Sequence, residues 1–160
     1  MTTDQSTHRL TLFTMLVYWG CILLGLGIPW LATMGVDVLK HNQSLADAAH
    51  HLDLHLFAPG YNIFLVGLLN AVPFVLFAIF VLFHMGLAPA LDRKLCGRRA
   101  AGVLVTAIGM IGLSAWTHVM TLWFPDAQGA LAYLFLPFVL LGLMPIAYAL
   151  GRGLGSLIFR

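Results

Sequence analysis

Charged residues are scarce in this chain: Lys, Arg, Asp and Glu together make up 9% of its 160 residues. A soluble domain carries about 25% charged residues, because charged side chains cover its surface in water. Hydrophobic residues here reach 61%, and the mean hydropathy is +0.94. This composition excludes a water-soluble globular protein and indicates that lipid is the solvent of the folded chain.

Cysteine is also scarce, since Cys21 and Cys96 are the two cysteines and they share no C-x-x-C motif. A small membrane thiol oxidase would need cysteine pairs in its outer loops, so that class of enzyme is excluded. The chain also lacks a nucleotide-binding loop, a nucleophile with a matched base, and a pair of carboxylates within its apolar segments. We therefore do not expect this chain alone to be an enzyme, and no pattern suggests nucleic-acid binding.

Long apolar segments without Lys, Arg, Asp or Glu predict the fold. A bilayer core of about 30 Å needs about 20 apolar residues per spanning helix. The alternating pattern of a β-barrel is absent, so helices have to satisfy the backbone hydrogen bonds. The first segment is longer than the roughly 7–15 apolar residues of a signal sequence, which indicates a permanent anchor. The sequence predicts an all-α integral membrane bundle, a single domain with four transmembrane helices: 10–36, 61–88, 101–124 and 129–151.

The basic residues predict the orientation of this bundle. Seven of the eight Lys and Arg residues lie before the first span, between the second and third, or after the fourth, and only Lys40 lies on the other side. The positive-inside rule then makes both termini cytoplasmic. Four aspartates fall on the outer side: Asp37, Asp47, Asp53 and Asp126. We expect a multi-pass protein of the bacterial inner membrane.

The segment SLADAAHHLDLHLFAPG, residues 44–60, interrupts the apolar pattern between the first two spans. On a helix, Asp47, His51 and His55 fall on one stripe, and Leu45, Leu52 and Leu56 lie on the opposite flank. This pattern predicts an interfacial amphipathic helix over 44–57 along the outer surface, with the aspartate and the histidines toward water and the leucines toward lipid or the bundle. Pro59 and Gly60 would end it.

The histidines of this segment are also candidate metal ligands. His51 and His55 have the H-x-x-x-H spacing that brings two imidazoles to one metal ion, and His118 could join them if the helix folds back over the bundle. The predicted metal site is His51, His55 and His118, with haem, copper or zinc as the cofactor. His84 lies near the other end of the bundle and should not share a haem with His118. The alternatives are a solvated helix face or a partner contact, and for His118 a hydrogen bond to a carbonyl or to Thr121.

Polar and small residues inside the spans have two interpretations. Asn70 could bond a quinone or substrate, or it could bond across helices. Small residues at helical spacing predict close approach of the backbones, at Cys21 and Gly25 in the first span and at Gly102, Thr106 and Gly109 in the third.

The runs LLNAVPFVLFAIFVLFHMGLAPAL and FVLLGLMPIAYALGRGL are separated by a short basic loop and follow a long outer loop. In this layout the chain resembles a bacterial membrane family catalogued as domain of unknown function 2975. The likeness covers most of the chain and rests on topology and spacing. It implies a small four-helix membrane protein and no particular activity.

Three functions remain open from the sequence. The first is a non-enzymatic accessory or structural subunit that packs against a larger membrane partner or a second copy of itself. The second is a small redox or metal protein that uses the outer histidines, with electron transfer to a quinone as one use. The third is a small transporter, which would need more polar residues along its path than Asn70.

Overall fold

The computed structural model describes residues 3–59, 62–86, 93–126 and 129–159. Within these residues the structure consists of α-helices joined by short connections, in this order: α1 Thr3–Lys40, α2 Leu45–His55, α3 Ile63–Gly86, α4 Arg93–Trp123 and α5 Gly129–Ile158. The four long helices contain segments that are long and apolar enough to cross a membrane: Leu10–Lys40, Ile63–Gly86, Lys94–Trp123 and Leu131–Ile158. The predicted fold class is confirmed, including the short helix between the first and second spans.

Several helix boundaries differ from the prediction, and α1 extends over Thr3–Lys40 rather than 10–36. Helix α4 begins at Arg93 rather than at 101, and α5 continues to Ile158 rather than ending at 151. The basic stretch that was expected to be a loop therefore forms the first turns of α4. Apolar runs mark the part of a helix that lies in hydrocarbon, whereas Lys and Arg can extend the same helix beyond it with their charges in the polar region.

The four long helices form a bundle with a defined order of neighbours. Helix α1 packs most extensively on α3, and α4 on α5, while α1 also contacts α4 and α3 contacts α5. Helices α3 and α4 therefore lie across the diagonal of the bundle. The core between them consists of fully buried apolar side chains, among them Phe74, Phe77, Met110 and Leu140.

Close approach of the helices depends on glycine, as predicted. A Cβ atom on Gly25 would lie 2.7 Å from Cβ of Phe74 in α3, and one on Gly102 would lie 2.7 Å from the ring of Tyr148 in α5. At Gly151 the added atom would lie 2.7 Å from the backbone oxygen of Ala101. The backbone contact at Gly151 leaves no space for a side chain, and the three glycines together allow the paired helices to approach closely.

Asn70 joins three helices at the centre of the bundle. Its Nδ2 donates to the carbonyl oxygen of Gly25 in α1 at 2.7 Å, and Ser114 Oγ of α4 donates to its Oδ1 at 2.8 Å. Asn70 is 2% exposed. The cross-helix interpretation of Asn70 is therefore confirmed, since both ends of its amide are occupied by the protein.

Helix α2 forms where it was predicted, but its orientation differs. Ser44 caps its first turn, with Oγ accepting from the backbone N–H of Asp47 at 3.2 Å. The expectation that His51 and His55 face water is wrong, because both turn toward the bundle. Leu45, by contrast, is 69% exposed. The face toward the bundle consists of buried and half-buried residues: Ala48, His51, Leu52, His55 and Leu56.

Candidate functional site

A buried aspartate near the end of α1 organises the side chains at this end of the bundle. Asp37 is 3% exposed. Its Oδ1 lies 3.2 Å from Nδ1 of His41, one helical turn later, and its Oδ2 lies 2.6 Å from Nδ1 of His51 in α2. A buried carboxylate needs such partners, because its removal from water is costly. This need explains why the histidine face of α2 turns inward.

The two predicted histidine ligands of α2 lie side by side. The ring centroids of His51 and His55 are 4.4 Å apart, with an angle of 64° between the ring planes. Nδ1 of His55 lies 3.0 Å from the backbone oxygen of His51. The i, i+4 spacing therefore brings the two imidazoles together, as the sequence predicted.

Both imidazoles line a cavity of about 250 Å³ between the helices. Four helices contribute to its wall, which consists of Thr33, Val36, Asp37, His41, His51, His55, Ile63 and Leu122. The cavity therefore combines one carboxylate and three imidazoles with an apolar wall. Imidazole and carboxylate groups are the kinds of side chain that ligate metal ions.

The hydrogen bonds of His51 and His55 determine which ring nitrogen is free to bind. In each ring Nδ1 faces an oxygen, a carboxylate for His51 and a carbonyl for His55, so Nδ1 carries the hydrogen. A neutral imidazole protonated at Nδ1 has its lone pair on Nε2. Histidines that ligate metals usually donate their other N–H to a carboxylate or a backbone carbonyl in this way. In the neutral form, the oxygen partners therefore favour for both side chains the tautomer that a metal ligand requires.

His118 lies apart from this cavity. It is 1% exposed, its Nδ1 lies 2.9 Å from the backbone oxygen of Ser114, and its ring stacks on Tyr133 at 5.1 Å. Leu122, one turn further along α4, lines the cavity, whereas His118 is absent from its lining. The bond to Ser114 corresponds to the alternative interpretation of a carbonyl partner. Nε2 of His118 has no hydrogen-bond partner among the described residues.

The structure thus brings two of the three predicted ligands together. Within the described ranges, no group of three or more His, Cys, Asp or Glu side chains is arranged to hold a metal ion. The site of His51, His55 and His118 stays a prediction.

Sequence reasoning missed the roles of Asp37 and His41. Asp37 was recognised as an outer aspartate, but not as the partner of a histidine 14 residues away. One signal was present: an acid in the last turns of a helix is unfavourable next to the negative end of the helix dipole, and such a residue usually has another reason to be there. The i, i+4 spacing of Asp37 and His41 was a second signal.

No protein-family model, curated protein or solved structure matches this chain. The resemblance to domain of unknown function 2975 therefore stays a prediction.

Proposed function

We propose that this multi-pass membrane protein binds a divalent transition metal ion through Nε2 of His51 and of His55. The proposal rests on one arrangement. Both Nδ1 atoms face oxygen partners, and the ring centroids lie 4.4 Å apart at the wall of one cavity. Asp37 orients His51 from the outer coordination shell. Imidazole ligands favour zinc and copper.

The ligand set makes the ion exchangeable. A structural zinc site is closed by four protein ligands, whereas two histidines leave positions for water or an external ligand. Haem is disfavoured, because two axial imidazoles have to lie on opposite faces of a porphyrin and these two rings are in contact. Zinc or copper is therefore the proposed cofactor, in keeping with the second function that the sequence left open.

The test compares His55 with His50, a second histidine of α2. In purified protein, His55→Ala should weaken Zn²⁺ and Cu²⁺ binding, measured by calorimetry and metal analysis, by more than the roughly 10–100-fold typical of losing an outer-shell partner. His55 bonds within its own helix, so its loss leaves the contact of α2 with Asp37 intact. The matched control is His50→Ala, because His50 is exposed on the same helix.

Retention of stoichiometric metal by His55→Ala, or equal losses in the two variants, would contradict the proposal. The proposal would also be contradicted if the wild type bound no more metal than the double variant His51→Ala, His55→Ala. The histidines would then serve only to hold α2 against α1.

The accessory-subunit hypothesis is a second candidate. Helix α1 carries three glycines, Gly20, Gly27 and Gly35, at which an added Cβ would meet no atom within 4 Å. They lie on the surface of the bundle, where small residues would allow another transmembrane helix to approach closely. Replacing Gly27 with Leu should then abolish co-purification of a partner or second copy in mild detergent. An unchanged complex would count against this surface as the contact.

The orientation is also a proposal, which rests on the seven basic residues at one end of the bundle. They favour the bacterial inner membrane with both termini in the cytoplasm and the cavity outside. A transport role has less support, because Asn70 bonds within the protein at both ends of its amide.

A further inference from the structure

Three arginines from two helices cluster at the end of the bundle opposite the cavity. Arg98 and Arg99 lie on α4, and Arg152 lies on α5. Arg99 Nη1 donates to the backbone oxygen of His84 at 3.4 Å, and Arg152 bonds the side chain of Tyr148, whose hydroxyl contacts His84 Nε2. The guanidinium groups of Arg99 and Arg152 therefore lie near the same pair of residues, His84 and Tyr148.

Glycine contacts between α4 and α5 hold the arginines close. A Cβ atom on Gly102 would lie 3.1 Å from Cγ of Arg152, and one on Gly155 would lie 3.0 Å from Cα of Arg98. The backbones of α4 and α5 are in close contact at Gly155 and at Gly151, so the geometry of the cluster is set by the helix pair and not by a loop.

The positive charge of this cluster has little compensation. The sequence places seven basic residues at this end against two acidic ones, Asp4 and Asp92. The protein partners of Arg98 and Arg99 that the structure gives are neutral carbonyl oxygens at 3.4 Å. Their Nε atoms are buried and have no partner within the described part of the chain. Guanidinium groups are most stable when an anion accepts two parallel hydrogen bonds from them.

The level of the cluster along the bundle indicates which anion is available. The apolar part of α4 begins directly after Arg99, and the apolar part of α5 ends directly before Arg152. The three guanidinium groups therefore lie at the boundary between hydrocarbon and water, where lipid phosphates lie. Basic pockets between transmembrane helices at this level bind anionic headgroups.

We propose that Arg98, Arg99 and Arg152 form a binding site for the phosphate group of one anionic glycerophospholipid. This site is independent of the metal cavity at the other end. Arginine is preferred because its planar fork donates two parallel hydrogen bonds to one phosphate, whereas the ammonium of lysine acts as a point charge without that geometry.

The test measures lipid binding to delipidated protein in an uncharged detergent by native mass spectrometry. Phosphatidylglycerol should bind as one retained molecule, and phosphatidylcholine should not. Removing one basic contact with a lipid headgroup should lower the affinity about fivefold. The double variant Arg99→Gln, Arg152→Gln should therefore lower it on the order of 25-fold. The control Lys94→Gln removes one charge from an exposed position on the same end of α4 and should change the affinity less than twofold.

A second pair of variants covers the case in which the glutamine variants fail to fold. The double variant Arg99→Lys, Arg152→Lys keeps the positive charge but loses the parallel hydrogen-bond donors of the guanidinium groups. It should still lower the affinity for the lipid several-fold. Equal losses in Lys94→Gln and the arginine variants would overturn the proposal in favour of diffuse attraction. Equal binding of phosphatidylcholine, or displacement of the lipid by millimolar inorganic phosphate, would also overturn it.

Discussion

At the scale of single residues, the buried polar side chains divide into two groups with different consequences. Asn70 and Ser114 bond across the centre of the bundle, where the protein itself satisfies their hydrogen bonds. Asp37 is also satisfied, but by imidazoles that line a cavity and have a second nitrogen to offer. Buried polar groups need partners in both cases. Of these two groups, the second can also bind something from outside the protein.

The bond between Asn70 and Ser114 should contribute measurably to stability. A double-mutant cycle of Asn70→Ala and Ser114→Ala should give a coupling free energy of about 0.6 kcal/mol, with an upper value of about 1.7. The measurement is the free energy of unfolding in bicelles. Thr117→Ala is the control, because Thr117 bonds the carbonyl of Leu113 within its own helix. A coupling of zero would show that the two side chains do not stabilise the helix contact.

The carboxylate of Asp37 should strengthen metal binding without touching the ion. Asp37→Asn keeps the shape of the side chain but removes its charge, so the affinity for Zn²⁺ should fall by about 10–100-fold. Asp53→Asn is the matched control, since Asp53 is exposed on α2 and should leave the affinity unchanged. If both variants bind zinc like the wild type, Asp37 does not act as the outer-shell partner of His51.

At the scale of helices, close contacts decide how the elements pair. Helix α5 approaches α4 at Gly151, where the added atom would meet the backbone of Ala101 and Gly102. Two residues further along the same helix, Gly153 meets nothing within 4 Å. Backbone atoms cannot move aside in the way that a flexible side chain can, so the two glycines should respond in opposite ways to the same substitution.

Gly151→Ala should destabilise the bundle by about 1–3 kcal/mol, the usual cost of excess volume in a packed interior. Gly153→Ala should be neutral or stabilising by up to about 1 kcal/mol, because alanine favours helix more than glycine does. Thermal unfolding in detergent of the two variants provides the comparison. A Gly151→Ala protein as stable as Gly153→Ala would mean that the close contact of α4 with α5 is absent.

At the scale of the whole molecule, the charges are separated between the two ends. Basic residues dominate one end, and four of the six acidic residues, with the histidine cavity, lie at the other. Such an asymmetry orients a membrane protein during insertion. The two proposed sites lie at opposite ends of the bundle, so each can be examined without disturbing the other.

The orientation predicts the results of reporter fusions. A reporter after Arg160 should be active in the cytoplasm, and one inserted between His41 and Ser44, in the connection before α2, should be active outside. Removing the basic residues of the first turns of α4 should weaken this preference, because the asymmetry would fall. A cytoplasmic signal from the insertion before α2 would contradict the proposed orientation.

The solvent, the fold class and the number of spans followed from the sequence, because they depend on hydropathy along the chain and on the length of helix that a bilayer requires. The pairing of His51 with His55 also followed, since a contact at i, i+4 is local. The beginning of α4 did not follow, because a helix can continue through basic residues beyond the apolar segment. Hydropathy along the chain does not indicate where such a helix begins.

Tertiary structure decided which face of α2 turns inward and which residues the cavity contains. The sequence pattern placed Leu45 toward lipid or the bundle and His51 toward water, because an isolated amphipathic helix turns its most apolar face away from water. The buried carboxylate of Asp37 turns His51 inward, since a carboxylate removed from water is stabilised by hydrogen bonds to both of its oxygens. That contact spans 14 residues and depends on how α2 folds back over α1, as does the position of His118 outside the cavity. No local pattern contains that information, because it arises only when helices distant in sequence pack together.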